Sequence, residues 1–316
     1  MRGYVTDAER KVWILPMLTE WKMEYTPGIP CDSFWLRCPW EPGSGTTPDQ
    51  WVGFFAQYQE ERVFTGLVDE CQVSIDHRGE VLEITGRGMA ARLLDNEAMG
   101  QDYEMASLED ILRDHIYPYG IQVDVGDGLK PVPKFSISTG SSEWSVIYEF
   151  ARYYGGVSPR FDRWGRLVLK DWGDGEYWLL GDGTPITELV CRDTRYGVLS
   201  QVLVRDRFSG AVEKVENTEF ADLGGAARRI ITMPGRSNYK DMRYSGQFQL
   251  DRSEGERLRL EVTVAQPFCA WPGELVQLQR SGWERNGTYR VVNAVVSMDE
   301  RGCRTWLELA RPDYVI

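Results

Sequence analysis

A hairpin motif that occurs twice constrains this 316-residue chain more than any other sequence feature. Residues 74–79 read SIDHRG and residues 297–302 read SMDERG, so both follow the pattern S-x-D-x-R-G. Each copy lies between two runs of β-forming residues, and its glycine can adopt the positive φ that a tight turn requires. After the first copy, the apolar residues of 89–94 fall on one helical face. The sequence therefore predicts a β-hairpin at the end of each half of a duplicated fold.

The first region, residues 1–99, contains strand patterns before and within the first hairpin. Strand candidates separated by turn residues are 11–15, 20–25, 33–38, 51–59, 64–74 and 81–85. About six strands are enough for a small closed or split barrel. We therefore predict a first β-barrel domain over 1–99.

The second region, residues 100–182, has a mixed pattern. Ser107 is a predicted N-cap with an acid three positions later, and Gly120 ends the helix that follows. A second helix is predicted from 141 to 154, and a hairpin pairs 157–161 with 167–170. This region is predicted to be a small α+β module.

The third region, residues 183–316, returns to β patterns. Strands 198–207 and 211–217 should pair, 219–237 should form a long loop, and a helix is predicted near 239–250. A strand over 257–264 and a last hairpin, 288–296 with 303–309, complete a second barrel. The predicted fold class is therefore β-rich α+β, with two β-barrel domains around an α+β middle module.

Charge and motif content argue against several function classes. The formal net charge of −12 disfavours a surface that grips nucleic-acid phosphates. The two histidines have no partner at metal-ligand spacing, and neighbouring carboxylates on a strand point to opposite faces, which is poor geometry for a paired acid and base. No nucleophile elbow, Walker loop or dinucleotide loop is present. We therefore predict no enzymatic activity, no catalytic or metal-ligating residues and no cofactor.

The remaining composition predicts a protein made and folded in the cytoplasm, without membrane embedding. No apolar run could span a bilayer, and no charged-then-apolar leader begins the sequence. The six cysteines contain no C-x-x-C pair and are interpreted as reduced thiols, with a bridge between Cys31 and Cys38 as the alternative. Arg87 could be a buried ion-pair partner or an inter-subunit contact, and we favour the latter because a helix start disfavours a lone cation.

Several short motifs occur in order along nearly the whole chain. The first half contains FTGLVD at 64–69, ITGR at 84–87 and LLDNEA at 93–98. The middle contains 144–155 and FDRWGRL at 161–167, and the end contains PGE at 272–274 and GTYRV at 287–291. This order resembles the baseplate hub proteins of contractile phage tails. That family, the Mu-like tail hub and late control protein D group, also occurs in prophages and in phage-tail-like bacteriocins.

The resemblance implies a trimeric hub with two tube-protein-like barrels per subunit, located in a virion or tail-like particle. Three duplicated chains would present six similar units, on which a sixfold tail tube can stack while a threefold spike binds the other side. Expected partners are a second and third copy, the tail tube protein, the spike protein and other baseplate proteins, with DNA as transient cargo. The candidate residues for contacts between subunits or with the tube are Phe64, Gly66, Asp69, Gly86, Arg87, Pro272 and Tyr289.

An acidic or neutral lumen would let DNA pass without sticking, and its candidate residues are Glu60, Glu61, Glu70 and Glu83. Two alternatives remain at this point. The chain could be a tail-tip enzyme or cell-wall-binding module, since related hubs carry peptidoglycan hydrolase domains. It could also be a carbohydrate-binding β-protein with an exposed aromatic cleft.

Overall fold

The structure, a computed structural model, describes residues 1–27, 31–41, 46–76, 79–126, 129–172 and 177–314. Strands predominate over helices in these residues. The strands are β1 (Arg2–Thr6), β2 (Val12–Ile14), β3 (Glu20–Tyr25), β4 (Ser33–Pro39), β5 (Gly53–Tyr58), β6 (Glu61–Asp76), β7 (Gly79–Gly88), β8 (Gln101–Ala106), β9 (Val123–Val125), β10 (Val132–Ile137), β11 (Arg160–Phe161), β12 (Leu167–Leu169), β13 (Tyr177–Gly181), β14 (Ile186–Asp193), β15 (Gln201–Asp206), β16 (Val212–Glu216), β17 (Arg228–Met233), β18 (Leu258–Val264), β19 (Leu275–Gln279), β20 (Gly287–Asp299) and β21 (Gly302–Ala310).

The helices are short except for the last. They are α1 (Ala91–Leu94), α2 (Leu108–His115), α3 (Glu143–Tyr148), α4 (Thr218–Asp222) and α5 (Tyr239–Gly255). Helix α3 continues directly into a π-helical turn at Glu149–Tyr154. Helix α2 begins with the predicted capping box, in which Ser107 and Asp110 each accept a hydrogen bond from the other's backbone N–H. Among the described residues, no helix combines the length and apolar character needed to cross a membrane.

Thirteen strands from both halves of the chain form one sheet. Its order is β14-β18-β21-β20-β3-β4-β7-β6-β5-β1-β2, with β19 pairing with β20 and β13 pairing with β19. The halves meet where β3 pairs antiparallel with β20, with Met23 opposite Val296. We call this pairing the internal joint.

The two halves repeat one strand order, as the hairpin motif predicts. In the first half the order is β3-β4-β7-β6-β5-β1, and in the second it is β14-β18-β21-β20-β19-β13. If the six strands of each half are numbered in chain order, both halves place them in the same order within the sheet. Five strands of each set are joined by antiparallel pairs, and the sixth differs, since β1 is antiparallel to β5 whereas β13 is parallel to β19.

The repeat extends to individual residue pairs of the two hairpins. Asp76 pairs with Gly79, and Asp299 pairs with Gly302. The register of β6 and β7 shifts once, between Val68 and Glu70. The register of β20 and β21 shifts at the equivalent place, between Val291 and Asn293. Because a bulge is a specific local feature of a ladder, its recurrence confirms the predicted duplication. The first turn's residues 77–78 lie outside the described residues.

No sheet closes into a barrel in the part of the chain that the structure describes, so the closed form of the predicted closed or split barrels is wrong. Closing the first barrel would require the free edge of β3 to return to β1 or β2 of its own half. That edge pairs instead with β20 of the second half, and the sheet path ends openly at β2 and β14. Both halves therefore share one sheet and one core.

The main core lies on one face of this sheet. Buried and partly exposed side chains alternate along β3, β4, β18 and β21, as expected for strands with one covered face. Buried residues of both halves belong to one cluster, which includes Met23, Leu36, Ile84, Val262 and Leu307. The charged and polar side chains of these strands lie on the opposite face, which we call the polar face.

The middle region has a core of its own, built mainly from α2, α3 and the sheets β8–β10 and β9–β12–β11. The boundaries 1–99, 100–182 and 183–316 remain predictions. Two elements make their contacts beyond these boundaries: Leu93 of α1 packs in the middle core, and β13 pairs with β19 of the large sheet.

A second small unit is inserted between β14 and β18. It contains the three-stranded sheet β16-β15-β17 and helix α5, whose Met242 packs in one cluster with Val202 and Val204 of β15. The predicted loop over 219–237 is wrong in part, because it contains α4 and β17. Strand β17 pairs in parallel with β15, and its mostly exposed side chains give no strand-like alternation.

Candidate functional site

Arg87 holds the first hairpin against the segment that follows it. Its Nε and Nη2 donate to Asp69 at 2.7 and 3.0 Å, and its Nη1 and Nη2 donate to Asp95 at 2.8 and 2.7 Å. Asp69 is the extra residue of the β6 bulge, which directs its carboxylate toward Arg87. The guanidinium keeps the pKa of Asp95 below its usual range through this hydrogen bond.

These contacts answer part of the prediction for Arg87. The Arg87 guanidinium forms ion pairs with both Asp69 and Asp95 of its own chain. It is therefore not the lone cation on which the inter-subunit interpretation is based. Its side chain remains 37% exposed. A role for Arg87 and Asp69 in contacts between subunits remains a prediction.

Four of the predicted interface residues, Phe64, Gly66, Gly86 and Tyr289, are buried within the chain, and a role for them in contacts between subunits remains a prediction. Phe64 packs among Tyr25, Phe34 and Phe54, and the Tyr289 hydroxyl donates to the Arg285 carbonyl at 2.7 Å.

Gly66 and Gly86 are buried at a close approach of β6 and β7. A Cβ on Gly86 would lie 2.0 Å from the Leu67 carbonyl oxygen, and one on Gly66 would lie 2.2 Å from that of Arg87. Glycine at these two positions therefore allows β6 and β7 to pack closely within the chain.

The candidate lumen residues occupy two places. Glu70 and Glu83 lie on the polar face, on the paired strands β6 and β7. Glu60 and Glu61 are exposed where β5 turns into β6. The polar face is mixed in charge, since Arg37 contacts both Glu20 and Glu83 at 3.4 and 3.5 Å. Whether this face lines a lumen remains a prediction.

Pro272 lines a cleft of about 220 Å³ between the large sheet and the middle region. The cleft also contains Asp32, Arg160, Arg163, Trp164, Trp172 and Trp271. The Arg160 guanidinium lies 3.9 Å from the ring centre of Trp172, and that of Arg163 lies 5.0 Å from that of Trp271. Burial raises the pKa of Asp32 to about 7, although the Thr26 backbone N–H donates to it at 2.8 Å. These arginines and tryptophans bind each other, which fits a packed contact between two structural units.

His115 is a buried structural residue whose two ring nitrogens both have partners. Its Nδ1 lies 2.6 Å from Glu143 Oε2, and its Nε2 lies 3.1 Å from the Tyr103 hydroxyl. The Tyr119 hydroxyl donates to the other Glu143 oxygen at 2.9 Å. Sequence reasoning missed Glu143, because no local pattern connects it with a histidine 28 residues away. His77 lies outside the described residues.

The potential metal ligands and the cysteines among the described residues form no cluster or bridge. They contain no group of three or more histidine, cysteine, aspartate or glutamate side chains that could hold a metal ion. All six cysteines are free thiols, so Cys31 and Cys38 are not bridged. Burial raises the pKa of the Cys31 thiol to about 12 and that of Cys38 to about 12, which disfavours the reactive thiolate form.

Comparison with known proteins gives a likeness in structure. No protein-family model matches the chain, and no curated protein matches its sequence. The 43 kDa tail protein of prophage MuSo2 from Shewanella oneidensis is 18% identical over 100% of both chains, with a TM-score of 0.80. A tail protein from Neisseria meningitidis MC58 is 16% identical over 99% of this chain and 98% of that one, also with a TM-score of 0.80.

The chain also has a more distant structural similarity to a protein of a bacterial secretion system. An Escherichia coli component of the type VI secretion system, described as structurally similar to the bacteriophage T4 tail proteins gp27 and gp5, is 9% identical. The match covers 93% of this chain and 73% of that one, with a TM-score of 0.61. The chain therefore has the fold of phage tail proteins over its whole length.

Proposed function

We propose that this protein is a structural subunit of a phage-type tail, and that it forms the baseplate hub of a contractile tail or tail-like injection particle. The observation that carries the proposal is the repeated six-strand order within a fold shared with phage tail proteins. The role is structural rather than enzymatic, since the titratable groups that are brought together serve ion pairs and packing.

The duplication provides a physical reason for the hub role. A ring of three chains with two similar units each presents six similar surfaces to one side while keeping true threefold symmetry. Such a ring joins a sixfold tail tube to a threefold spike. The proposed partners are therefore two further copies, the tube protein, the spike protein and neighbouring baseplate proteins, in a particle assembled in the bacterial cytoplasm.

The polar face of the large sheet is the proposed lining of the ring. Glu70 and Glu83 lie there, and pairing with arginine leaves the face without a strongly basic stripe. DNA or another polyanion would then pass without the phosphate contacts that slow it. The chain's net charge of −12 supports the same reading.

Electron microscopy of assembled particles tests the proposal. Particles purified from cells that carry a tagged copy of this chain should show the tag at the junction of tube and baseplate, with three copies per particle. Native mass spectrometry of this chain mixed with its tube and spike proteins should show a complex with both. A tag found along the tube, on the sheath or outside the particle would overturn the hub assignment.

A further inference from the structure

Besides the sheet end at β2, strands β14 and β6 have edges without a described partner strand. Strand β14 pairs with β18 on one side and with no described strand on the other. Strand β6 pairs with β7 along most of its length, whereas β5 covers its second edge from Glu61 to Leu67. The stretch 70–75 of β6 therefore has a free edge. An open strand edge presents a row of unpaired N–H and C=O groups, which is a template for pairing with a strand of another chain.

In the internal joint, the strands equivalent to β14 and β6 are paired with each other, namely β3 and β20. Strand β20 corresponds to β6, and its first part pairs with β19 as β6 pairs with β5. Its second part, 294–298, is covered on that same edge by β3. In the second half, β14 occupies the position of β3. The missing equivalent of the internal joint is thus a pairing of β14 with 71–75 of β6.

The exposure of equivalent residues in the two halves shows that the edge of β6 is uncovered within one chain. Val296 lies in the internal joint and is 1% exposed, whereas its equivalent Val73 is 48% exposed. Met298 packs partly against the main core, whereas its equivalent Ile75 is 78% exposed. Two apolar side chains therefore lie open on the core-facing side of a strand, where the repeat predicts a neighbour.

We propose that β14 of one copy pairs antiparallel with residues 71–75 of β6 in the next copy, which extends the sheet around a ring. The inference rests on the proposed ring and names the surfaces that close it. Transferring the register of the internal joint places Cys191 opposite Val73 and Leu189 opposite Ile75. The occupant is a second copy of this chain, because the chain supplies both halves of the joint at two different places.

The side chains on both edges fit this register. Leu189 and Cys191 are half-buried and pack at the border of the main core, so they would continue its apolar face onto Val73 and Ile75. On the polar face, Arg192 lies opposite Gln72 and diagonal to Glu70, within reach of its carboxylate. No two like charges face each other directly between residues 71 and 75 of β6 and residues 189 and 193 of β14. A joint between two different surfaces is head-to-tail, which closes into a ring when the rotation permits it.

Disulfide trapping tests the register in the purified full chain. Val73→Cys places a thiol opposite the native Cys191 of the neighbouring copy, and directly paired residues of antiparallel strands lie within disulfide distance. Mild oxidation should convert the chain into covalent oligomers, and peptide mass spectrometry should identify a link between positions 73 and 191. The double variant Val73→Cys/Cys191→Ser should lose this link.

A matched control uses the other open end of the sheet. Ile14 on β2 is also exposed, but no joint is proposed there. Ile14→Cys should give no link to Cys191. Ile75→Lys should weaken self-association in sedimentation by at least about tenfold, since it places a charge in the apolar part of the joint. Ile14→Lys should leave self-association unchanged.

The outcomes separate the joint from the proposed function. A 73–191 link within a trimer supports both. The same link within a ring of another size supports the joint and overturns the threefold hub. A trimer without the link, or a chain that forms no such link at any concentration, overturns the joint, while the hub assignment is decided by the position of the chain in the particle.

Discussion

At the scale of single residues, the sequence predicts turns and caps better than close contacts. Gly79 and Gly302 have the positive φ that the hairpin motif predicts, and Ser107 caps its helix. The need for glycine at 66 and 86 was not predictable, because it comes from atoms on a neighbouring strand. Asp69 as the partner of Arg87 was equally hidden, since a bulge had to place it there.

Replacing Gly86 with alanine should destabilise the chain strongly. The new Cβ would meet the Leu67 carbonyl oxygen at 2.0 Å and a ring carbon of Phe34 at 2.5 Å, and a backbone atom cannot move aside without disturbing the ladder. Overpacking of this kind costs about 1–3 kcal/mol or more. Urea unfolding should show this loss for Gly86→Ala and almost none for Gly183→Ala, where an added Cβ meets nothing within 4 Å. Equal stability of both variants would contradict the contact.

Replacing Arg87 with methionine should destabilise the chain in a pH-dependent way. The variant loses two ion pairs that are partly exposed, so the expected loss is about 1 kcal/mol at neutral pH. The pKa of Asp95 is lowered in the folded chain, so its contribution is present above the unfolded pKa and is lost as the pH falls through the folded value. The difference between the two proteins should therefore shrink below about pH 4.

Chemical denaturation across pH checks this prediction. Arg301→Met, in the exposed turn of the second hairpin, is the matched control and should change stability little at any pH. A difference between Arg87→Met and the unaltered protein that stays constant from neutral to acidic pH would show that the ion pairs do not cause it.

At the scale of elements, alternation decides which strands can be predicted. Strands β3, β4, β18 and the two long hairpins alternate in polarity, and their positions agree with the sequence pattern. Strands β13 and β17 have mostly exposed side chains and pair in parallel with distant partners, so no local signal marks them. The predicted hairpin of 198–207 with 211–217 is confirmed as β15 and β16.

Helix α2 offers an element whose end can be tested directly. Ser107 Oγ accepts from the Asp110 N–H at 3.2 Å, and the Asp110 carboxylate accepts from the Ser107 N–H at 3.2 Å. Ser107→Ala should lower the free energy of unfolding by about 1 kcal/mol. The Asp110 N–H loses its acceptor, and the Asp110 carboxylate is no longer held in place to accept from the N–H of residue 107. Ser107→Thr keeps the hydroxyl and should remain close to the unaltered protein. Thermal unfolding measures both, and equal losses would show that the cap hydroxyl is not the cause.

At the scale of the whole molecule, the sequence predicts the duplication but not the way its halves join. The repeated motif gives two similar hairpins, and each half alone contains enough strands for a barrel. Which edge pairs with which depends on contacts between Tyr25 and Ala294 or Trp21 and Met298, more than 260 residues apart in sequence. Local patterns carry no information about such pairs. The structure therefore has one shared core where the sequence predicts two separate ones.

Because both halves share one core, a destabilising substitution in one half should also destabilise the strands of the other half. Val296 lies in the internal joint, buried opposite Met23 of the first half. Val296→Asp would bury a carboxylate without a cation beside it in the apolar core, which costs about 3 kcal/mol or more. Hydrogen exchange should then accelerate in β3 and β4 as well as in β20 and β21, in a single cooperative unit. The equivalent change Val73→Asp, made in dilute monomeric protein, should leave exchange in all four strands nearly unchanged, since Val73 is already half exposed. Faster exchange confined to β20 and β21 would show that the halves unfold independently, and the single-core description would then be wrong.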